Sequence, residues 1–551
     1  MTPVILDSGL MAGERGNSTC ISEPAHVVRL EEPRIDDDAV VFRWEVTPKT
    51  ELYSRTEFTM SFPPEIDLSA IPRPLWWRIA LICLHTHWVL LRPCRVELPV
   101  RLGAGEGELW MRLMDNVRVQ LEAYGSPQRA GRAVELMEAG PRLEPVRLET
   151  ATDRAVAAFS GGKDSLVLSA LLAELTERPL LVTITSPVPW ARDHVGGARD
   201  RAQKEIVQRL PADLLTVSSD FRTCWAIDFS TREGCSLGVH ELSDLSLYQS
   251  AMIAVAAATG RGRMFIASEA DIQYNATRDG RVILHREFLS CSVTQGALDA
   301  LLRGFGLRQS SLTYPLHMPE VQGLLLHRYR HLLDLQFSCW KAPYGTQACS
   351  TCSKCFQIAL VALAEGVSPW EMGIDPVAAL CAFGDWNVDS PPPSGVPRLH
   401  ETRAARHHIQ RRLQELSSAA VAETLTSDPV ARDNARLGEA LAVYARLRAD
   451  ALALDTPPAP GYFAGLLELV PSDLRKPLRA IFDQYFFTAP THELTATIER
   501  AQALTSWIVE PLQGATGPQG SPLRLPGDRR GRRALHGRKR LLRHRDRRLG
   551  N

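Results

Sequence analysis

Phe159-Ser160-Gly161-Gly162-Lys163-Asp164-Ser165 stands between a short apolar run, Ala155-Val156-Ala157-Ala158-Phe159, and a segment from Leu166 to Leu175 with helical spacing of its apolar residues. The run reads as a buried strand and the segment as a helix, so the stretch between them is a strand-to-helix turn. Two glycines in such a turn let backbone N–H groups approach an anion closely. The helix that follows aims its unpaired N–H groups and the positive end of its dipole at the same place. Ser160 and Ser165 add hydroxyl donors and Lys163 a mobile positive charge. Asp164 is an acid placed to cap the helix or to hold Mg2+.

Downstream of the turn, Leu180-Leu181-Val182-Thr183-Ile184 reads as a second buried strand, completing a βαβ unit. Leu245 to Ala258 has a helical pattern and Arg263 to Ser268 reads as another strand. This alternation predicts an α/β domain over 151–388, with a parallel sheet covered on both faces. Upstream, Val40 to Val46 and Glu57 to Phe62 alternate apolar and polar residues as half-buried strands do. Leu75 to Leu91 reads as a buried helix and Cys94 to Val100 as a strand, giving a smaller α+β domain over 27–150. His85 and His87 lie among Leu, Trp and Ile and read as core histidines rather than ligands. A turn-rich linker, Asp389-Ser390-Pro391-Pro392-Pro393-Ser394-Gly395, marks 389–398. Beyond it, Arg403 to Leu416, Val430 to Leu454 and Tyr462 to Phe487 are helical by composition and spacing, a helical extension over 399–510.

The 551 residues carry 63 Lys+Arg and 63 Asp+Glu, 45% hydrophobic and 23% charged, which excludes collagen-like and wholly disordered classes. The neutral balance hides an asymmetry. Asp528 to Asn551 holds eleven Lys/Arg against two acids, so the preceding residues are net acidic. So basic and apolar-poor a segment cannot bury enough surface to order itself, and 511–551 reads as a disordered basic tail. The first 26 residues read as a flexible leader. No apolar run reaches the roughly 20 residues needed to span a bilayer, and no secretory signal is visible, so a cytoplasmic protein without membrane partners is expected.

Cys339 precedes Cys349-Ser350-Thr351-Cys352-Ser353-Lys354-Cys355 by ten residues. Two C-x-x-C steps sharing a cysteine, plus a fourth thiol, supply the set for closed tetrahedral coordination. Structural Zn2+ is the favoured occupant, an iron–sulfur cluster the alternative. Cys83, Cys94, Cys224 and Cys381 read as buried fillers, Cys20 lies in the leader, and Cys235 and Cys291 stay open.

The turn also matches a known motif. Ser160-Gly161-Gly162-Lys163-Asp164-Ser165 resembles the PP-loop, Ser-Gly-Gly-x-Asp-Ser, of the ATP pyrophosphatase superfamily, and lacks the longer spacing of P-loop kinases and GTPases. The resemblance implies ATP and Mg2+ as ligands, with Ser160 to Ser165 holding the nucleotide and Lys163 and Asp164 serving catalysis. Such enzymes split ATP between its α- and β-phosphates, transfer AMP to a carboxylate or carbonyl oxygen and release pyrophosphate. The order of further segments is similar to the UDP-N-acetylmuramoyl-L-alanyl-L-glutamate epimerase family. These segments are Leu81 to Trp88, then the PP-loop, Ala267-Ser268-Glu269-Ala270-Asp271, His285-Arg286-Glu287-Phe288-Leu289-Ser290 and the cysteines. That likeness, over Val40 to Leu380, implies adenylation of a terminal L-glutamate and its epimerisation in peptidoglycan biosynthesis. Two acid–base groups are then needed, and Glu269 and His285 are the leading candidates, with Cys291 third. Asp271 and Glu287 are read as Mg2+ ligands or helix caps. The cysteine set also resembles the zinc site of 7-cyano-7-deazaguanine synthase, which implies ammonia-dependent amide or nitrile formation instead. A third expectation is a tRNA-modifying enzyme whose basic tail holds RNA. The partner expected first is a small-molecule or peptidyl carboxylate.

Overall fold

The computed structural model describes residues 26–91, 93–125, 134–186, 198–226, 237–339, 341–343, 345–382, 418–426, 435–452, 461–488 and 492–515. The strands are β1 (His26–Leu30), β2 (Arg34–Ile35), β3 (Ala39–Thr47), β4 (Glu57–Ser61), β5 (Cys94–Leu98), β6 (Val134–Glu138), β7 (Ala151–Ala158) and β8 (Leu180–Thr185). They continue with β9 (Asp213–Ser219), β10 (Arg261–Phe265), β11 (Asn275–Arg278), β12 (Arg281–Leu284), β13 (Arg308–Ser310), β14 (Gly461–Tyr462) and β15 (Phe487–Thr488). The helices up to the cysteine cluster are α1 (Arg73–Trp88), α2 (Glu106–Tyr124), α3 (Lys163–Leu175), α4 (Ala198–Arg209), α5 (Val239–Ala258), α6 (Ala270–Gln273), α7 (Ser292–Leu302) and α8 (Met318–His327). Then follow α9 (Ser353–Ala364), α10 (Pro376–Ala382), α11 (Ser418–Thr426), α12 (Leu437–Leu452), α13 (Ser472–Phe482) and α14 (His492–Ala515).

Eleven strands form one sheet in the order β13-β10-β7-β8-β9-β4-β3-β1-β5-β6, with β2 beside β3. From β13 to β9 every pairing is parallel, as the βαβ reading predicts. The chain winds outward from β7 in two directions, to β8 and β9 on one side and to β10 and β13 on the other. Successive side chains point to opposite faces. Val156, Leu180, Val182 and Ile184 enter one core with α1, α5 and α7, while Ala155, Ala157 and Leu181 enter the other with α3, α8 and α9. Runs apolar on both faces are what a doubly covered parallel sheet requires.

The 27–150 region extends the same sheet. β4 pairs antiparallel with β9 through Met60↔Ser219 and Ser61↔Ser218, and an Asp220 carboxylate oxygen accepts the Thr59 N–H at 2.7 Å. In α1 every residue from Leu75 to Trp88 is buried, because the helix is wedged between its own domain and α5. Arg78 is neutralised there by a two-point bond to Glu106, at 2.9 and 2.7 Å.

His85 and His87 are core residues, as expected. His85 Nδ1 lies 3.1 Å from the carbonyls of Leu81 and Ile82, and His87 stacks on Trp225 at 3.3 Å between centroids. Burial lowers the His85 pKa to about 4 and holds His87 well below the ordinary imidazole value. Both pKa values fall on folding, so the unfolded chain binds more protons below pH 6.5 and stability is lost as pH drops through that window. The slope is about 1.4 kcal/mol per pH unit per histidine. Urea unfolding at pH 7.5 and 5.5 is expected to show this loss, and His87→Phe to remove about half of it.

The C-terminal extension does not stand apart. Val421, Leu425, Ala440, Tyr444 and Leu478 share the core of α3 and α8, and Ala501, Ile508 and Val509 of α14 share the other. α14 packs on α7 and α2, with Arg112 bonding Glu510 at 2.8 Å and lying 5.1 Å above the Trp507 ring. Tyr462 to Phe487 is not continuous helix. Tyr462 pairs with Thr488 in the short β14–β15 ladder, and α13 begins only after Pro471. α14 runs to Ala515, past residue 510 where the tail is expected to begin. The leader before His26, Cys20, Cys235, the 389–398 linker, Arg403 to Leu416 and the tail beyond residue 515 lie outside the described residues. Among the described residues no helix is long and apolar enough to cross a membrane.

Candidate active site

The glycine turn leaves β7 and enters α3, at the point where the strand order reverses between β8 and β10. In open α/β sheets this crevice, beyond the carboxyl ends of the strands, is where ligands bind. Gly161 has φ +85°, a left-handed conformation that glycine adopts without strain. Gly162 differs. Its φ is −75°, and a Cβ there would meet nothing nearer than 3.6 Å, so the fold itself does not demand a glycine. Hydroxyls hold the turn together. Ser165 Oγ accepts from the N–H groups of Ser160 (3.3 Å) and Gly161 (3.1 Å), and Ser160 Oγ accepts from Gly162 N–H (3.4 Å). Ser338 Oγ accepts from Lys163 N–H at 3.1 Å. Phe337 N–H donates to the Gly161 carbonyl at 2.7 Å, so the strand-like segment before Cys339 lies directly on the turn.

Lys163 bridges two carboxylates, bonding Asp164 beside it and Glu269 from the turn after β10. Lys163 and Glu269 each expose 11% of the side chain and Asp164 38%, so solvent reaches the cluster from the Asp164 side. Burial pushes the Glu269 carboxyl well above the carboxylate range, and the neighbouring Asp164 charge adds to that. Burial opposes ionisation of Asp164 too, but the Lys163 charge and hydrogen bonds from Glu269 and Lys163 outweigh it and hold its pKa at about 2. Burial works against the Lys163 ammonium, yet the two carboxyls raise its pKa. The environments of these two carboxyls thus drive their pKa values apart, one toward the protonated form and the other toward the anion.

Glu269 precedes α6, and its turn is clamped. Ala270 N–H donates to Leu316 O at 2.7 Å, and Ser268 Oγ to Ser290 O at 2.7 Å. Gln273 Nε2 donates to Ser268 Oγ and Glu269 O, both at 3.0 Å, while its Oε1 accepts from Ser292 N–H at 2.7 Å. These bonds join the Glu269 turn to the segment following His285. His285 itself is buried at the end of β12, with Nδ1 accepting from Glu287 N–H at 3.2 Å, an assignment that leaves the proton on Nε2. Cys291 is buried, and burial raises its thiol pKa. Asp271 is a cap, not a free ligand: its carboxylate binds His317 Nδ1 and Met318 N–H, both at 2.7 Å, at the start of α8.

The four cysteines converge as their spacing predicts. Their sulfurs lie within 4.8 Å of one another, with Cys339–Cys352 at 3.8 Å, Cys349–Cys355 at 4.0 Å and Cys352–Cys355 at 3.5 Å. Thiolates about 2.3 Å from one zinc ion at tetrahedral angles stand about 3.8 Å apart, a spacing these sulfurs come near. Backbone N–H groups of Cys349, Thr351 and Cys355 point at cysteine sulfurs at 3.4–3.5 Å and favour thiolate. Hydrogen bonds, first from Cys339 and then from Cys355, hold Cys352 far below the ordinary thiol range. The cluster can therefore hold a metal ion such as zinc. Because Ser338 adjoins Cys339, an ion there fixes the residue that caps the Lys163 N–H.

Ser338, Gln273 and the Gln322–Gln336 pair that leads to Ser338 (3.0 and 3.2 Å) had no signal in the sequence. Strand order and site together define an α/β protein with a mixed, mainly parallel sheet, a largely buried charged cluster at its switch point and four converging cysteines one residue beyond Ser338, which holds the turn. No protein-family model, no curated protein and no solved structure matches the chain.

Proposed function

We propose that the protein is an ATP-dependent adenylating enzyme of the PP-loop type. The observation that carries this is Gly162: at the mouth of a turn at the sheet's switch point, a side chain would fit the fold, so the glycine serves close approach by something else. A triphosphate is that anion. It takes over the N–H groups now held by Ser160, Ser165 and Ser338, draws Lys163 from its carboxylates, and leaves Asp164 to hold Mg2+, which offsets phosphate charge. A substrate carboxylate oxygen attacks the α-phosphorus, the α–β P–O bond breaks, and pyrophosphate leaves.

The substrate we favour is a peptide ending in L-glutamate, as in UDP-N-acetylmuramoyl-L-Ala-L-Glu, with epimerisation after activation. Adenylation acidifies the Cα–H, because the enolate no longer shares charge with a carboxylate anion. One group removes the proton, another returns one to the opposite face, and water then releases AMP. Glu269, which favours its protonated form, suits proton delivery, and His285 is the candidate base, its Nδ1 lone pair taking the proton once the Glu287 N–H gives it up. The test is pyrophosphate release with that dipeptide, accompanied by entry of solvent deuterium at the glutamate Cα. Release only with ammonia and a heterocyclic acid moves the assignment to amide or nitrile synthesis. Gly162→Ala is expected to change the unfolding midpoint by no more than a few degrees while weakening ATP binding at least tenfold. Calorimetric titration and thermal melting read the two effects separately.

A further inference from the structure

Three arginines from three separate segments converge on one stripe of α5. Glu241, Asp244 and Tyr248 stand at i, i+3 and i+7 and so share a face. Arg286, after β12, pairs with Glu241; Arg222, after β9, donates from Nε to Asp244 at 2.7 Å; Arg199, opening α4 after β8, donates from Nη2 to the Tyr248 hydroxyl at 2.9 Å. Three cations thus face two carboxylates and a phenol. Arg222 and Arg199 are 1% and 7% exposed, yet among the described residues Arg222 Nη1 and Arg199 Nε have no hydrogen-bond acceptor. Leaving a buried charged donor unsatisfied is costly, and packing alone gives no reason to place two of them side by side. α5 connects the parallel strands β9 and β10, so the chain enters it from the carboxyl edge of the sheet, the edge that carries the glycine turn.

We infer that this stripe is an oxyanion subsite for a second anionic group of the acyl substrate, a phosphate ester or a carboxylate, distinct from the nucleotide's phosphates. The inference rests on the adenylation reading for what occupies the neighbouring turn. Guanidinium forks match both oxyanions and bind them at two points. α5 packs on β7, β8 and β10, so the stripe lies on a helix that covers the strand from which the glycine turn leaves. The substrate class this fits carries an anion in addition to its activated carboxylate.

The test titrates full-length protein with inorganic phosphate while a saturating α,β-methylene ATP analogue occupies the turn. One equivalent of phosphate is expected to bind. Arg199→Gln should weaken it at least tenfold and Arg199→Lys several-fold, because the lysine lacks the fork. Tyr248→Phe, which removes a competing acceptor, should leave binding equal or tighter. Competition by glutarate assigns the subsite to a carboxylate, and its absence to a phosphate ester. Unchanged phosphate affinity in folded Arg199→Gln overturns the proposal, as does wild-type protein that binds no phosphate. Should Arg199→Gln fail to fold, an unchanged affinity in Arg199→Lys has the same force. Failure of the nucleotide reading looks different: the analogue does not bind, while phosphate titrates the arginines as before.

Discussion

Asp164→Ala is expected to lower AMP formation by roughly a thousandfold or more while the protein stays folded, with a midpoint within a few degrees of wild type. The loss follows from removing a carboxylate that faces solvent and is held ionised beside the turn, the group to which the proposed reaction gives Mg2+. Removing a single preorganised electrostatic contact of this kind costs about 10²–10³ in rate, and loss of the metal adds to that. The tolerance follows from Glu269. It remains bonded to Lys163, and without the Asp164 charge its own carboxyl ionises more readily and takes over the pairing. Lys163→Ala should behave oppositely, leaving the buried Glu269 carboxyl beside Asp164 without its cation, and so cost stability as well as activity. Pyrophosphate release and circular dichroism on the same preparation separate the two variants. Full activity in Asp164→Ala removes the basis for the nucleotide assignment.

Cys352→Ser is expected to lose the metal and lower the melting midpoint by on the order of 10 °C, since structural zinc contributes folding free energy directly. Cys352 belongs to the four-cysteine cluster and is also the N-cap of α9, where its sulfur accepts the Cys355 N–H at 3.5 Å. The effect should reach the turn. With Cys339 released, Ser338 no longer holds Lys163 N–H and Phe337 no longer presses on Gly161, so ATP affinity should fall about tenfold, the value of one lost hydrogen bond. Cys381→Ser is the control: Cys381 lies outside the cluster, 3.8 Å from the Arg436 carbonyl, and its loss should leave metal content unchanged. Elemental analysis with thermal melts decides this. A Cys352→Ser protein that keeps one equivalent of zinc contradicts the four-thiolate centre.

The parts legible in the sequence were those whose partners are close along the chain. β7, the glycine turn and α3 are contiguous, and the four cysteines span seventeen residues, so periodicity and spacing were enough. Lys163–Glu269 crosses 106 residues, Lys163–Ser338 crosses 175 and His317–Asp271 crosses 46. Pairs so distant leave no local pattern, and Glu269 was reached only through the order of segments in a resembling family. The seam between the two strand-bearing regions was equally hidden, because two residue pairs between β4 and β9 merge what composition reads as separate domains. α14 reaches back to α2 and α7 through Trp507, Ile508 and Val509, a contact no reading of its own amphipathic pattern assigns to a neighbour.

The most direct measurement is a crystal structure of the protein with magnesium and a non-hydrolysable ATP analogue. The account predicts density for the β- and γ-phosphates within hydrogen-bonding distance of the Gly161–Gly162 backbone, with Lys163 turned from Glu269 toward them and a magnesium ion on Asp164. A turn still closed by its serine hydroxyls, with nucleotide bound elsewhere or nowhere, contradicts it.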